Sequence, residues 1–362
     1  MRRPGKGVLI MAGGTGGHIF PGLAVASVLK KRDIPVRWLG AEAGMETRTV
    51  PAAGIELDLV EIAGLRGKGL MRWVRMPLML LRAVWQARRL LKANRPLCAI
   101  SFGGYAAAPG GIAAWTKGIP LLVHEQNRVP GLTNKLLARF SHTILQGFPG
   151  TFPEKSSAIS SGNPVRQEVA AIAEPQERLA GRTGAVRILI TGGSQGASIL
   201  NQVVPAAMQK LSADIALEVR HQGGARRVDE AREAYARAGV HAEVSPFITN
   251  MAEAYGWADL VICRSGALTV AELAAAGVAA ILVPFAHAVD DHQTRNAEYL
   301  AESGAALILP QASLDAVSLA AVLQPLLTSR EKLLEMAVAA RRLALPDAAE
   351  KVVEACHEWV RS

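Results

Sequence analysis

Two glycine-rich turns, each set directly after a short apolar run, constrain this chain more than any other feature. The first, Gly13-Gly14-Thr15-Gly16-Gly17-His18, follows Val8-Leu9-Ile10-Met11 and precedes a helical stretch from Pro21 to Leu29. The second, Thr191-Gly192-Gly193-Ser194-Gln195-Gly196, follows Val186-Arg187-Ile188-Leu189-Ile190. A strand, a glycine turn and a helix in succession expose backbone N–H groups at a helix N-terminus, where an anion is stabilised. One such turn suggests a phosphate. Two, one in each half of a 362-residue chain, predict two similar halves with a cleft between them.

The apolar runs are short and bounded by glycine, which predicts buried strands of parallel sheets. In the first half they fall near residues 8–12, 36–40, 56–61, 98–101, 121–127 and 143–145. In the second they fall near 187–191, 215–221, 241–244, 260–263 and 279–283, with helices between them. Half of the residues are hydrophobic, enough for a core in each half, and the fold class is layered α/β. A third glycine turn, Phe102-Gly103-Gly104-Tyr105, ends the strand at Cys98. Ser161 to Arg166, with Asn163-Pro164 beside a glycine, reads as the hinge. Residues 347–359 read as a final helix. Pro77 splits the long helical stretch from Leu70 to Ala93 or opens its second part.

The three cysteines, Cys98, Cys263 and Cys356, are sparse and odd in number. They read as buried hydrophobes, not as a disulfide framework or a metal knot. The basic start is not read as a signal peptide, because its apolar run is short and glycines follow it. No stretch has the ~20 apolar residues of a membrane-spanning helix.

The net charge of +9 is concentrated. Between Glu61 and Glu125 there is no acidic residue, while Arg66, Lys68, Arg72, Arg75, Arg82, Arg88, Arg89, Lys92, Arg95 and Lys117 all fall there. Arg75, Arg82 and Arg89 recur every seven residues, and Met71, Leu78 and Trp85 follow the same spacing close beside them. Arginine mixed with exposed apolar side chains predicts an interfacial patch for an anionic membrane surface, extended by Trp115. An ordinary solvated helix face is the plainer alternative. Nucleic acid is not expected, since no recognised binding motif is present.

Several polar residues stand where parallel-sheet proteins bind ligands, beyond the carboxyl ends of strands. His18 opens a helix among glycines. A helix N-terminus disfavours a cation, and a neutral imidazole is a competent base. Glu125 ends a strand beside His124 and Asn127, and could act as a base, orient His18 or pair with a basic residue. Ser194 with Arg166 could hold a diphosphate without metal. Glu272, in an alanine-rich helix, is costly if buried alone; a ribose diol or a basic residue would each serve as its partner. Gln293 and Asn296 suit hydroxyl recognition. No catalytic metal and no cofactor are expected, because there is no Asp-x-Asp, histidine cluster or cysteine knot.

Taken in order, Gly13–His18, Gly103-Gly104-Tyr105, His124-Glu125-Gln126-Asn127, Gly162-Asn163-Pro164-Val165-Arg166, Gly192–Gly196 and the Ser265–Glu272 helix start resemble the MurG family of glycosyltransferases, family 28. The resemblance spans about residues 8–296. These are peripheral membrane enzymes that transfer N-acetylglucosamine from UDP-N-acetylglucosamine (UDP-GlcNAc) to lipid I in peptidoglycan synthesis. The resemblance implies a GT-B fold of two Rossmann-like domains facing each other across a cleft. Residues 1–163 would form the acceptor and membrane domain, with a helix at about 345–362 returning to it. Residues 164–344 would bind the UDP-sugar. It implies a β-1,4 product with inversion, catalysed by His18 and Glu125.

The donor residues it implies are Thr15, Gly16, Gly17, Asn127, Arg166, Ser194, Ile248, Ala267, Leu268, Thr269, Val270, Ala271, Glu272 and Gln293. Gly13, Gly14, Gly103, Gly104, Tyr105 and Asn134 would serve the acceptor. Met71, Arg75, Leu78, Arg82, Trp85, Arg89 and Trp115 would meet the cytoplasmic face of the bacterial inner membrane. Cell-wall synthesis proteins are further partners the resemblance allows. Two rival readings are a different enzyme of the same fold, such as a UDP-GlcNAc 2-epimerase or a glycolipid synthase, and a nucleic-acid-binding protein using the positive face.

Overall fold

A computed structural model describes residues 7–42, 44–62, 70–193, 196–286 and 288–360, with the side chains of 70–76 and 289 left out. The chain forms two compact units, residues 1–165 with 345–362, and residues 166–344.

The N-terminal unit is built on seven strands: β1 (Val8–Ala12), β2 (Val36–Ala41), β3 (Glu56–Val60), β4 (Cys98–Gly103), β5 (Leu121–Glu125), β6 (Thr143–Gln146) and β7 (Ile159–Ser160). They lie in the order β3-β2-β1-β4-β5-β6-β7, and every pair is parallel. All residues of β1, β4 and β5 are buried. This explains why they read as unbroken apolar runs: helices cover both faces of the sheet, so no side chain needs to meet water. One face packs on the helix Gly16–Lys31 and on the last helix, Ala348–Val360, whose Ala349, Val352, Val353 and Cys356 enter the core beside Val25, Ala26 and Leu29. The other packs on the helices Leu70–Asn94 and Ala107–Thr116 through Ala83, Ala87, Leu91, Ala113 and Ala114.

The C-terminal unit repeats the plan with β8 (Val186–Thr191), β9 (Leu217–Gln222), β10 (Glu243–Ser245), β11 (Leu260–Cys263), β12 (Ala279–Leu282) and β13 (Ala306–Ile308). Their order is β10-β9-β8-β11-β12-β13, again wholly parallel. In each sheet the strand order reverses at the first strand of the unit. There the loops leaving neighbouring strands diverge and open a crevice, the usual place for a nucleotide or sugar ligand. Both glycine turns leave those first strands.

The strands expected from apolar runs are present. Two more, β7 (two residues) and β13 (three), are too short to have been read. The helix after the first turn begins earlier than expected, at Gly16, so Gly16, Gly17 and His18 form its first turn. The helix Leu70–Asn94 runs unbroken through Pro77, so the expected split does not occur. All three cysteines are free and buried.

The core position of Val352 gives a direct check on the last helix. Val352→Ala removes two methyl groups from a fully buried site and should lower stability by about 2 kcal/mol, read as a reduced urea midpoint; an unchanged midpoint would mean the helix is not part of that core.

Candidate functional site

At the carboxyl edge of the first sheet, three loops meet. The turns after β1 and β4 touch backbone to backbone. Gly104 sits at φ +84°, and a Cβ there would stand 2.1 Å from the Gly13 carbonyl oxygen, so only glycine allows the approach. Glu46, fully buried, ties the first turn to the end of β2. Its carboxylate accepts the Gly14 N–H (3.1 Å) and the Ala41 N–H (3.0 Å). Tyr105 lies against Gly14; its hydroxyl pKa is raised by burial and by the nearby Glu46 charge.

His18, half-buried on the first helical turn, reaches the third loop. Its Nδ1 lies 2.9 Å from Gln126 Oε1, and its Nε2 has no hydrogen-bond partner among the described residues. Gln126 Nε2 lies 3.1 Å from His124 Nδ1 and 2.8 Å from the His124 carbonyl. His124 Nε2 lies 3.0 Å from the Gly162 carbonyl. Burial lowers the His124 pKa to about 4, so its ring is neutral at physiological pH.

Glu125 is buried and its carboxylate points into its own loop. Oε1 accepts from the Asn127 backbone N–H (2.9 Å) and side-chain Nδ2 (3.1 Å), and Oε2 accepts from the Gly131 N–H (3.1 Å) and Asn134 Nδ2 (3.0 Å). Four donors leave it shaped as a loop anchor. It does not orient His18, whose partner is Gln126, and it pairs with no basic residue among the described contacts. Asn134, expected to line the acceptor site, is 1% exposed. It spends its amide on Glu125, on the His124 carbonyl and on Ser101, whose hydroxyl in turn accepts the Gly103 N–H. It thus links the third turn to the β5 loop from beneath.

In the C-terminal unit, the turn after β8 meets the loop after β9. Gly196, at φ +73°, would place a Cβ 2.2 Å from the Gly223 carbonyl oxygen. Gln222, at the end of β9 and buried, donates from Nε2 to the Gly193 carbonyl (2.9 Å) and accepts the Ile248 N–H at Oε1 (3.1 Å). A cavity of about 460 Å³ opens beside Gly196, lined also by Arg226, Arg227, Asp229 and Glu230.

The helix Ala267–Ala276 begins at the end of β11, with Ala267 and Val270 buried and Leu268, Thr269 and Ala271 half-buried. Its Glu272 is paired with Arg166 at 2.8 Å and faces the Tyr255 hydroxyl at 3.4 Å. Burial raises the Glu272 carboxyl pKa against the pull of Arg166. Of the two partners expected for Glu272, the basic residue is the one present in the fold. Gln293 accepts the Phe285 N–H (2.9 Å). Asn296 is buried and reaches the Ser265 carbonyl.

On the helix Leu70–Asn94, Leu78, Leu81 and Trp85 are exposed, and Arg89 lies over the Trp85 ring at 4.7 Å. Trp115 is also exposed, stacked on Phe140. The surroundings are not free of acid, as the sequence spacing implied: Glu61 folds back to pair with Arg82 at 2.8 Å. The side chains of Met71, Trp73 and Arg75, and Arg66, Lys68, Ser194 and Gln195 entirely, lie outside the described residues.

Residues 8–146 match the N-terminal domain of glycosyltransferase family 28, and residues 187–352 match its C-terminal domain. The chain belongs to glycosyltransferase family 28. A relative from Xanthomonas axonopodis pv. citri (strain 306) is 57% identical over 96% of this chain and 80% of its own length. One from Marinobacter nauticus is 52% identical over 98% of both. Both are named UDP-N-acetylglucosamine–N-acetylmuramyl-(pentapeptide) pyrophosphoryl-undecaprenol N-acetylglucosamine transferase. The crystal structure of Acinetobacter baumannii MurG matches with a TM-score of 0.85 at 41% identity, covering 98% of this chain and 99% of that one. The architecture is accordingly GT-B, two Rossmann-like units with parallel sheets.

Within this family 28 frame, sequence reasoning passed over Glu46, Gln222 and the roles of His124 and Gln126. For Gln222 a signal existed. His221-Gln222-Gly223-Gly224 is a polar strand end running into glycines, the pattern that singled out Glu125. For Glu46 there was none, because a lone carboxylate on a short helix usually faces water.

Two buried neutral histidines make the fold less stable in mild acid. His124 in the first unit and His221 in the second, the latter lowered by burial to about 3, both sit below the ordinary value of 6.5. Below pH 6.5 the unfolded chain takes up protons that these rings refuse until the pH approaches 4, so stability falls with pH in that window and levels off above it. Urea midpoints measured between pH 7 and 5.5 should decline; a flat profile would contradict neutral burial.

Proposed function

We propose that this chain transfers N-acetylglucosamine from UDP-GlcNAc to the 4-hydroxyl of the N-acetylmuramoyl unit of undecaprenyl-pyrophosphoryl-MurNAc-pentapeptide (lipid I), giving lipid II with inversion at the anomeric carbon. The observation that carries this reading, within a family of named N-acetylglucosamine transferases, is His18. Its imidazole is held by one nitrogen at the carboxyl edge of β1, β4 and β5, and the other nitrogen has no partner among the described residues.

In this reading Nε2 of His18 takes the proton of the acceptor hydroxyl as that oxygen attacks C1 of the donor sugar. The bond from C1 to the diphosphate breaks, its electron pair leaves with UDP, and the imidazolium later returns its proton to water. A positioned base supplies ~10²–10⁴-fold. Glu125 anchors the loop beside it and takes no proton. Residues 1–163 with the helix at about 345–362 serve the acceptor, and residues 164–344 serve the donor.

Because Glu46 occupies the Gly14 N–H, the lipid diphosphate falls to the remaining N–H groups of the first and third glycine turns, and Thr15, Gly16 and Gly17, which open the helix, face the donor. Departing UDP meets the Gly192–Gly196 turn and Arg166. The Ile248 N–H is held by Gln222, so uracil recognition there falls to the Ile248 carbonyl. Glu272 and Gln293 meet the ribose and the sugar.

No described helix is long and apolar enough to cross a membrane. Leu78, Leu81 and Trp85, with Arg89 beside them, dock on the anionic cytoplasmic leaflet, where each basic residue adds about 1 kcal/mol.

A transfer assay with UDP-GlcNAc and a lipid I analogue, chelator present, should give product. His18→Ala should lower kcat by about 10²–10⁴-fold; near-full kcat would remove His18 from the chemistry, and no transfer by the unaltered enzyme would overturn the function. The double change Leu78→Ser with Trp85→Ser should weaken binding to anionic vesicles and spare turnover of a soluble acceptor. Vesicle binding equal to the unaltered protein would remove this face from the membrane.

A further inference from the structure

The hydrogen bonds behind His18 leave little freedom in where its proton sits. The Gly162 carbonyl can only accept, so His124 Nε2, 3.0 Å away, carries a hydrogen. In a neutral ring the other nitrogen, Nδ1, is then an acceptor. The Gln126 amide faces two acceptors at once, His124 Nδ1 at 3.1 Å and the His124 carbonyl at 2.8 Å. Its NH₂ must point there, because the flipped amide would set oxygen against oxygen. Its oxygen therefore faces His18 Nδ1 at 2.9 Å. An amide oxygen only accepts, so His18 Nδ1 bears the hydrogen.

We infer that Gln126 is a positioning residue that holds His18 in its Nδ1–H tautomer and leaves Nε2 as the basic nitrogen, with His124 and the Gly162 carbonyl fixing which way the amide points. The inference rests on the reading of His18 as the base. Histidine free in water prefers the opposite tautomer, with its hydrogen on Nε2, so an unconstrained His18 would mostly present the wrong nitrogen. Gln126 and His124 are 1% and 0% exposed, and Asn163 Nδ2 donates to the Gln126 carbonyl at 2.9 Å, so water cannot reorganise the chain. Because His124 stays neutral until about pH 4, its Nδ1 remains an acceptor and the amide is not driven to flip.

The arrangement differs from a carboxylate–histidine pair. There an anion both sets the tautomer and stabilises the imidazolium. Here a neutral amide sets the tautomer alone, and Glu125, next to Gln126 in the chain, is turned into its own loop.

The test reads the tautomer itself. Among the 8 histidines, ¹⁵N-labelled and observed in long-range ¹H–¹⁵N spectra at neutral pH, the His18 signals are those lost in His18→Ala. They should show the Nδ1–H pattern. Gln126→Leu should move His18 to the Nε2–H form or a mixture, and lower kcat by about 10–10²-fold, part of what a positioned base supplies, with KM for UDP-GlcNAc unchanged.

A wild-type His18 in the Nε2–H form overturns the inference, and so does Gln126→Leu with tautomer and kcat both unchanged. The wild-type spectrum decides even if a variant fails to fold. If instead His18→Ala keeps its kcat, the base reading falls, whatever the tautomer.

Discussion

The loops that carry the candidate site depend on one requirement: polar backbone groups beyond the carboxyl ends of parallel strands, once buried, need partners. Inside the sheet the ladder supplies them; at its edge the chain turns away and the ladder stops. Here buried amides and carboxylates take over. Gln126, Asn134 and Asn163 bind the loops of the first unit, and Gln222 does so in the second. An amide can donate and accept at the same time, so one side chain can join a carbonyl on one loop to an N–H on another. Glu46 and Glu125 do the complementary task where only N–H groups converge. The loops are thereby fixed by contacts from beneath, and His18 is fixed with them.

The charged groups follow a different logic. The Arg166–Glu272 pair joins a nearly buried carboxylate to a guanidinium that is partly open to water. Burial alone works against the Glu272 anion, and Arg166 with the Tyr255 hydroxyl offsets part of that penalty. Such a pair adds little to net stability, because desolvation cancels much of the attraction. Its effect is on position: Arg166, the first residue of its unit, is held at a defined point on the helix Ala267–Ala276. Around Asp259, by contrast, Arg182 and Arg330 close a structural knot with bonds to the carbonyls of Gly256, Trp257, Gly184 and Ala185.

Much of the architecture was legible because it is written in patterns with a physical period. Unbroken apolar runs marked the buried strands, and glycines marked the loops where backbones touch. The placement of His18 followed from both. The side-chain partners were not legible in the same way. Glu125 invited a catalytic reading because it ends a buried strand, yet which donors surround a carboxylate depends on loop conformation, and here Gly131 and Asn134 close on it. Asn134, which only the family resemblance pointed to, spends its amide on Glu125, the His124 carbonyl and Ser101. Pro77 looked like a break, but the helix continues through it. Glu61, far from Arg82 in sequence, reaches it because β3 ends beside the long helix. These outcomes depend on loop conformation, helix context or a contact between separate segments, none of which a periodic pattern records.

The last helix has a consequence for how the chain is made. Ala349, Val352, Val353 and Cys356 complete the core of the N-terminal unit, yet every residue of the C-terminal unit is synthesised before them. On the ribosome, the unit begun first therefore waits with an open apolar face, while the unit begun second receives all of its strands and helices earlier. Completing the first core means closing a loop as long as the whole second unit. A second unit that has already folded shortens that loop, since a compact body brings its two ends closer than a free coil of the same length would. The order of assembly would then run against the order of translation, with the N-terminal sheet sealed last.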